Sequence, residues 1–140
     1  MPLEPTILAY AAGIIDGEGC IRINKQGKAG NHVIRLQVTN TKRTIIDQFK
    51  EWFGGSITEN RASKYNPKAN TSYVWEVSAK KAADVLVAIS PYLRIKSNQA
   101  HVALRLQDTK SMTNVVNQEL YNIREELFRK MRELNKRGTV

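Results

Sequence analysis

The stretch YAAGIIDGEGCIRI, residues 10–23, decides how this chain is read. It begins as a short apolar helix, expected over 7–16 and ended by Gly17 and Gly19. It leaves Asp16 and Glu18 at the helix's C-terminal end. That end carries partial negative charge, so carboxylates there are unfavourable unless a cation or backbone donors answer them. The last carbonyls of a helix lack intrahelical partners. Together with a carboxylate they offer hard oxygen ligands of the kind Mg²⁺ and Ca²⁺ take. The plainer alternative is that Asp16 or Glu18 hydrogen-bonds nearby backbone amides. In the same helix Ala9 and Gly13, with Ala12 beside them, form a stripe of small residues that lets another helix approach closely.

Downstream, the period changes to two. Over 20–26 Ile21 and Ile23 share one face, with Arg22 and Asn24 on the other. GKAGN (27–31) reads as a turn, and over 33–39 Ile34, Leu36 and Val38 alternate with Arg35, Gln37 and Thr39. This predicts a hairpin with one apolar and one polar, basic face. A helix capped by Thr41 is expected to run to 53, turning Ile45, Ile46, Phe49, Trp52 and Phe53 inward, and Gly54 and Gly55 stop it. A second hairpin is expected from strands 56–61 and 72–77, joined by ASKYNPKAN, with Tyr73, Trp75 and Val77 inward. Helices follow over 79–89, 97–108 and 114–136. The last carries Val116, Leu120, Ile123, Leu127, Met131 and Leu134 as its apolar side. The whole reads as one α+β domain over 1–140, with a four-stranded antiparallel sheet and helices on its apolar face.

Composition narrows the class. Lysine plus arginine number 22 against 13 acids in 140 residues, a formal charge of +9. That balance suits nucleic acid. The expected polar face, Arg22, Asn24, Arg35, Gln37, Thr39, Thr58, Asn60 and Glu76, carries side chains that read base edges, and Lys25, Lys28, Lys64 and Lys68 are placed to grip phosphates. Cys20 is the only cysteine, which excludes a disulfide framework and a multi-cysteine metal site. It falls on the phase of the polar face, as a small contact residue. The apolar run 7–15 is too short to span a bilayer. MPLEPT lacks the basic start of a secretion signal, so an intracellular setting without a membrane partner is expected. His32 and His101 have no acid arranged to orient them and are not read as general bases. Trp52, Phe53 and Trp75 fall at core positions.

Residues 11–19, AAGIIDGEG, resemble the LAGLIDADG motif of homing endonucleases. The match runs through Ala12, Gly13, Ile15, Asp16 and Gly19, with Glu18 at the second acidic position. The expected order of elements resembles that family's αββαββα core over most of 7–108, followed by extra C-terminal helices about 114–136. The resemblance implies that two motif helices pack side by side, with Ala9, Ala12, Gly13 and Asp16 at the interface. With one copy of the motif, it implies a homodimer. Glu18 of each copy, with the Gly17 carbonyl, would hold Mg²⁺, for which Ca²⁺ or Mn²⁺ can substitute; Asp16 would be the more structural acid. In PYLRIKSNQAHVALRL (91–106) Lys96 matches a lysine that lies near the scissile phosphates. In QVTNTKR (37–43) Asn40 matches a polar active-site position. Its basic neighbour falls at Lys42 or Arg43, Lys42 being preferred, and an ungapped alignment puts Thr44 there. The catalytic candidates are therefore Glu18, Lys96, Asn40 and Lys42. The implied function is a metal-dependent double-strand break in a long pseudo-palindromic DNA site, with 3′ overhangs and a role in intron or intein mobility. The alternatives are a non-cleaving DNA-binding regulator, or an intron RNA maturase with RNA as its partner, on the same scaffold.

Overall fold

Pro5 supplies a preset φ at the first turn of a helix, where a missing N–H costs nothing. Helix α1 (Pro5–Glu18) starts there, in a computed structural model that describes residues 3–28, 30–61, 71–112 and 117–136. It continues through Gly17 and stops only at Gly19, one turn-fraction later than the expected end. Strands β1 (Gly19–Gln26) and β2 (Asn31–Asn40) follow, then α2 (Arg43–Phe53), β3 (Ser56–Asn60), β4 (Ser72–Ser78) and α3 (Ala79–Ile89). A single 3₁₀ turn (Ser90–Tyr92) leads to α4 (Ser97–Met112) and α5 (Gln118–Leu134).

The strands form one antiparallel sheet in the order β1-β2-β4-β3. Register follows hydrophobicity. Ile21 lies opposite Leu36 and Ile23 opposite Ile34, while Leu36 faces Val77 and Val38 faces Trp75. One face of the sheet is thus continuous aliphatic and aromatic surface. Ile15, Ile46, Phe49, Leu86, Ile89 and Leu106 cover it from the helices. Phe49 lies 5.0 Å from Trp75, ring to ring, and the Trp75 indole donates to the Gly54 carbonyl at 2.7 Å. Burying each such side chain contributes about 1.5–3 kcal/mol.

Several local expectations change. Thr41 does not cap α2; its N-cap is Lys42, with no side-chain cap. Asn40 ties this junction instead, accepting from the Lys42 amide at 2.8 Å. Helix α5 begins at Gln118, where the Asn117 side chain accepts from the Leu120 amide. Ile123, expected inward, is exposed, whereas Arg124 is buried and donates to the Thr109 hydroxyl at 2.8 Å. Burial and that neighbouring Arg124 push the Lys110 ammonium below its ordinary pKa. Val116 lies outside the described residues. Among those residues no helix is long and apolar enough to cross a membrane.

Candidate active site and nucleic-acid interface

The question raised by Asp16 and Glu18 has two different answers. The Asp16 carboxylate turns back into its own chain. One oxygen accepts from the Arg94 amide at 2.9 Å, the other from the Ile95 and Lys96 amides at 3.0 Å each. Those amides immediately precede α4, whose first turn closes with Ala100 donating to the Lys96 carbonyl. An acid from the negative pole of α1 therefore rests at the positive pole of α4. The Lys96 ammonium completes the exchange, donating to the Asp16 carbonyl at 2.7 Å, where a cation is favoured. The Asp16 carboxylate, expected at an interface, is thus satisfied within one chain. Ala12 is the member of that set whose place changes. It is fully buried in the core, and the exposed stripe of α1 runs through Ala9, Gly13 and Gly17.

Glu18 behaves otherwise. It is exposed at the end of α1, and β1 begins one residue later. The β1–β2 register pairs Gly19 with Val38, which brings the end of β2 beside it. There the Asn40 amide nitrogen donates to Glu18 Oε2 at 2.5 Å. The Lys42 amide holds the Asn40 oxygen and so fixes which way the side chain points. Glu18 Oε1 accepts nothing from the described residues. Of the two basic candidates, Arg43 is engaged, with Asp47 at 3.4 Å and the Tyr73 ring at 5.3 Å. Lys42 is exposed beside Asn40. Glu18, Asn40, Asp16 and Lys96, scattered over 81 positions of sequence, thereby converge on the C-terminal end of one helix.

The sheet's other face carries the expected polar set. Arg22 lies directly opposite Arg35, Gln37 opposite Glu76, Thr39 and Thr58 each opposite Val74, and Asn60 opposite Ser72. Asn24 lies on the same phase, paired with Val33. Like charges facing across strands repel. Glu76 relieves one of them through a 2.5 Å contact with Arg35 Nη1, which makes it a holder of Arg35 as well as a surface acid. The Nε atoms of Arg22 and Arg35 are buried with no partner.

Lys25, expected at a phosphate, also has a partner within the chain. It takes the opposite phase, and its ammonium bonds Glu125 of α5 at 2.6 Å. Glu125 also bonds the buried His32 ring at 2.8 Å, so His32 does have an acidic partner, as an anchor between hairpin and helix. The hydrogen bonds from Lys25 and then His32 hold the Glu125 carboxyl below the usual carboxylate range. Nothing in the sequence flagged this pair, because the acid lies 93 and 100 positions from its partners. Lys28 is exposed in the β1–β2 turn; Lys64 and Lys68 lie outside the described residues.

No protein-family model and no curated protein matches the chain. Solved structures do. The homing endonuclease I-CvuI in complex with its target superposes with a TM-score of 0.79 at 19% identity, over 96% of this chain and 87% of that one. The fold is that of the LAGLIDADG homing endonucleases. An archaeal intron-encoded homing endonuclease, I-Vdi141I, complexed with DNA, gives 0.76 at 18% identity, over 98% and 89% of the two chains. The LAGLIDADG homing endonuclease I-GzeII in complex with a DNA target gives 0.68 at 15% identity. There the match spans 95% of this chain and 46% of the other, about half that protein's length.

Proposed function

We propose that this chain is a site-specific DNA endonuclease of the LAGLIDADG type, acting as a homodimer with a divalent metal. The observation that carries the reading is Glu18: an exposed carboxylate with one free oxygen, held by Asn40 at the end of a helix whose outer stripe is Ala9, Gly13 and Gly17. A Cβ on Gly13 or Gly17 would meet nothing within 4 Å. Glycine inside a helix costs about 1 kcal/mol relative to alanine. A second copy of α1 packed on that stripe gives both glycines a purpose, and brings a second Glu18 near the first.

The donor set fits a hard cation. Glu18 Oε1 and the Gly17 carbonyl are oxygen ligands, and the described residues of one chain hold no cluster of three metal-binding side chains. Two chains would together supply the carboxylates. When bound, Mg²⁺ would supply Lewis-acid stabilisation of charge on phosphoryl and leaving oxygens. The chain's own residues position the rest. Asn40 orients Glu18. Lys96, tethered to the Asp16 carbonyl, sets a fixed positive charge beside the site to stabilise charge developing on the scissile phosphate. Lys42 offers a second cation at the entrance. Arg22, Asn24, Arg35, Gln37, Thr39, Thr58 and Asn60 would read base edges from the polar face of the sheet, a two-stranded ribbon being of a width that enters the major groove.

The test is cleavage of a randomised duplex library by the wild-type protein and Glu18→Gln, with Mg²⁺ and with EDTA. Cutting by the wild type alone, with Mg²⁺ alone, at one pseudo-palindromic site is the expected result. Enrichment of bound duplex without cuts would overturn the endonuclease reading in favour of a binding protein.

A further inference from the structure

A cleft of about 490 Å³ runs along the outer edge of β1, between the sheet and α5. We infer that it seats a phosphate of the DNA backbone, and that Arg132 of α5 is thereby part of the nucleic-acid interface. The inference rests on the endonuclease reading and extends it to a helix outside the αββαββα core.

Three observations converge. First, the cleft is lined by both phases of β1, Arg22 and Asn24 from the polar one, Ile23 and Lys25 from the other. It therefore wraps the sheet's outer edge, from the polar face shared by Arg22 and Arg35 round to α5, β1 being an outermost strand. A ribbon lying in the major groove has bases over its face and sugar-phosphate backbone along its flanks. Second, its charge is unbalanced. Arg22, Lys25, Arg35 and Arg132 line it. The acids bonded to these groups are Glu125, which holds Lys25, and Glu76, which holds Arg35. Arg22 and Arg132 have no acid among the described residues. Third, the cationic groups are preset. The Arg132 guanidinium rides on the Phe128 ring at 5.8 Å, and the Lys25 ammonium sits over the same ring at 4.7 Å. Arg22 Nε is buried without a partner, a donor left over by the protein's own structure. Planar guanidinium groups from a strand and a helix match the geometry of a phosphodiester.

The test measures binding of two labelled duplexes, alternating dG·dC and alternating dA·dT, across a salt series. It compares wild type, Arg132→Gln, Arg132→Lys and Arg129→Gln, the last being an exposed arginine of α5 that does not line the cleft. Loss of one phosphate contact lowers the slope of log K against log salt by about 1, and weakens binding by about 3–10-fold. Arg132→Gln is expected to show both on each duplex equally, with Arg132→Lys keeping the wild-type salt slope but binding between the two, since an ammonium retains the charge and not the planar fork. A loss confined to one duplex would mean base readout and would overturn the phosphate seat. Equal behaviour of Arg132→Gln and Arg129→Gln would overturn it as well, with the endonuclease reading intact. Failure of the wild type to bind either duplex would bring down that reading and the seat together.

Discussion

At Gly19 an added Cβ would lie 2.8 Å from both the Cα and the carbonyl oxygen of Ile15, and 2.9 Å from the Ile15 side chain. Two of those atoms are backbone and cannot swing aside. Gly19→Ala is therefore expected to cost about 1–3 kcal/mol, the range for overpacking, read as a lower thermal midpoint. The glycines of the motif thus split: Gly19 is required by one chain's own packing, Gly13 and Gly17 are not. The sequence displays three similar letters, and only geometry separates them. The same holds for the two acids. That one of them is spoken for by backbone amides was legible as an alternative, but not which amides, since the donors sit 78–80 positions away. Hydrogen bonds to a charged acceptor contribute about 1.5–3 kcal/mol each, less where water competes, so Asp16 fixes the α1–α4 junction on which Lys96 stands.

Among the elements, the two hairpins and the helices that follow them were legible because alternation and the Gly54–Gly55 stop are local signals. The face taken by Lys25 was not, because strand alternation gives a lysine either a solvent or a partnered position, and the partner is set by a remote helix. That helix, α5, holds the β1–β2 hairpin through Glu125, with Lys25 and His32 as its ligands. The pH consequence has a definite sign. The Glu125 pKa is lowered on folding, so the anchor's stabilisation is fully present above the unfolded value. It is lost as pH falls through the folded value, from about pH 4 downward. Glu125→Gln is expected to flatten the acid limb of the stability–pH curve in that range. Urea unfolding at a series of pH values checks this; parallel acid limbs for the two proteins would exclude the anchor.

At the scale of the whole molecule, charge and pattern point one way: a surplus of basic residues, and a sheet with one apolar face and one polar face carrying Arg22 and Arg35. What no single sequence carries is the second copy. Gly13→Leu tests it. In one chain the substitution fills open space and gains helix propensity of about 0.8 kcal/mol, so the fold should hold or strengthen. Between two chains the same side chain would force the α1 helices apart, so sedimentation should report a monomer and DNA cleavage should vanish. An unchanged dimer that still cuts would move the contact elsewhere. The placement of α5 bears on this from another side. Its end carries Asn135, whose side chain donates to the Ile21 carbonyl of β1 at 2.8 Å. An uncovered outer strand is a template on which another chain's strand can add. Here one margin of the sheet has that acceptor taken and a helix lying along it, and the other margin, β3, is only five residues long. Both margins are thus poor templates for strand addition, which disfavours polymerisation of folded chains through their strands.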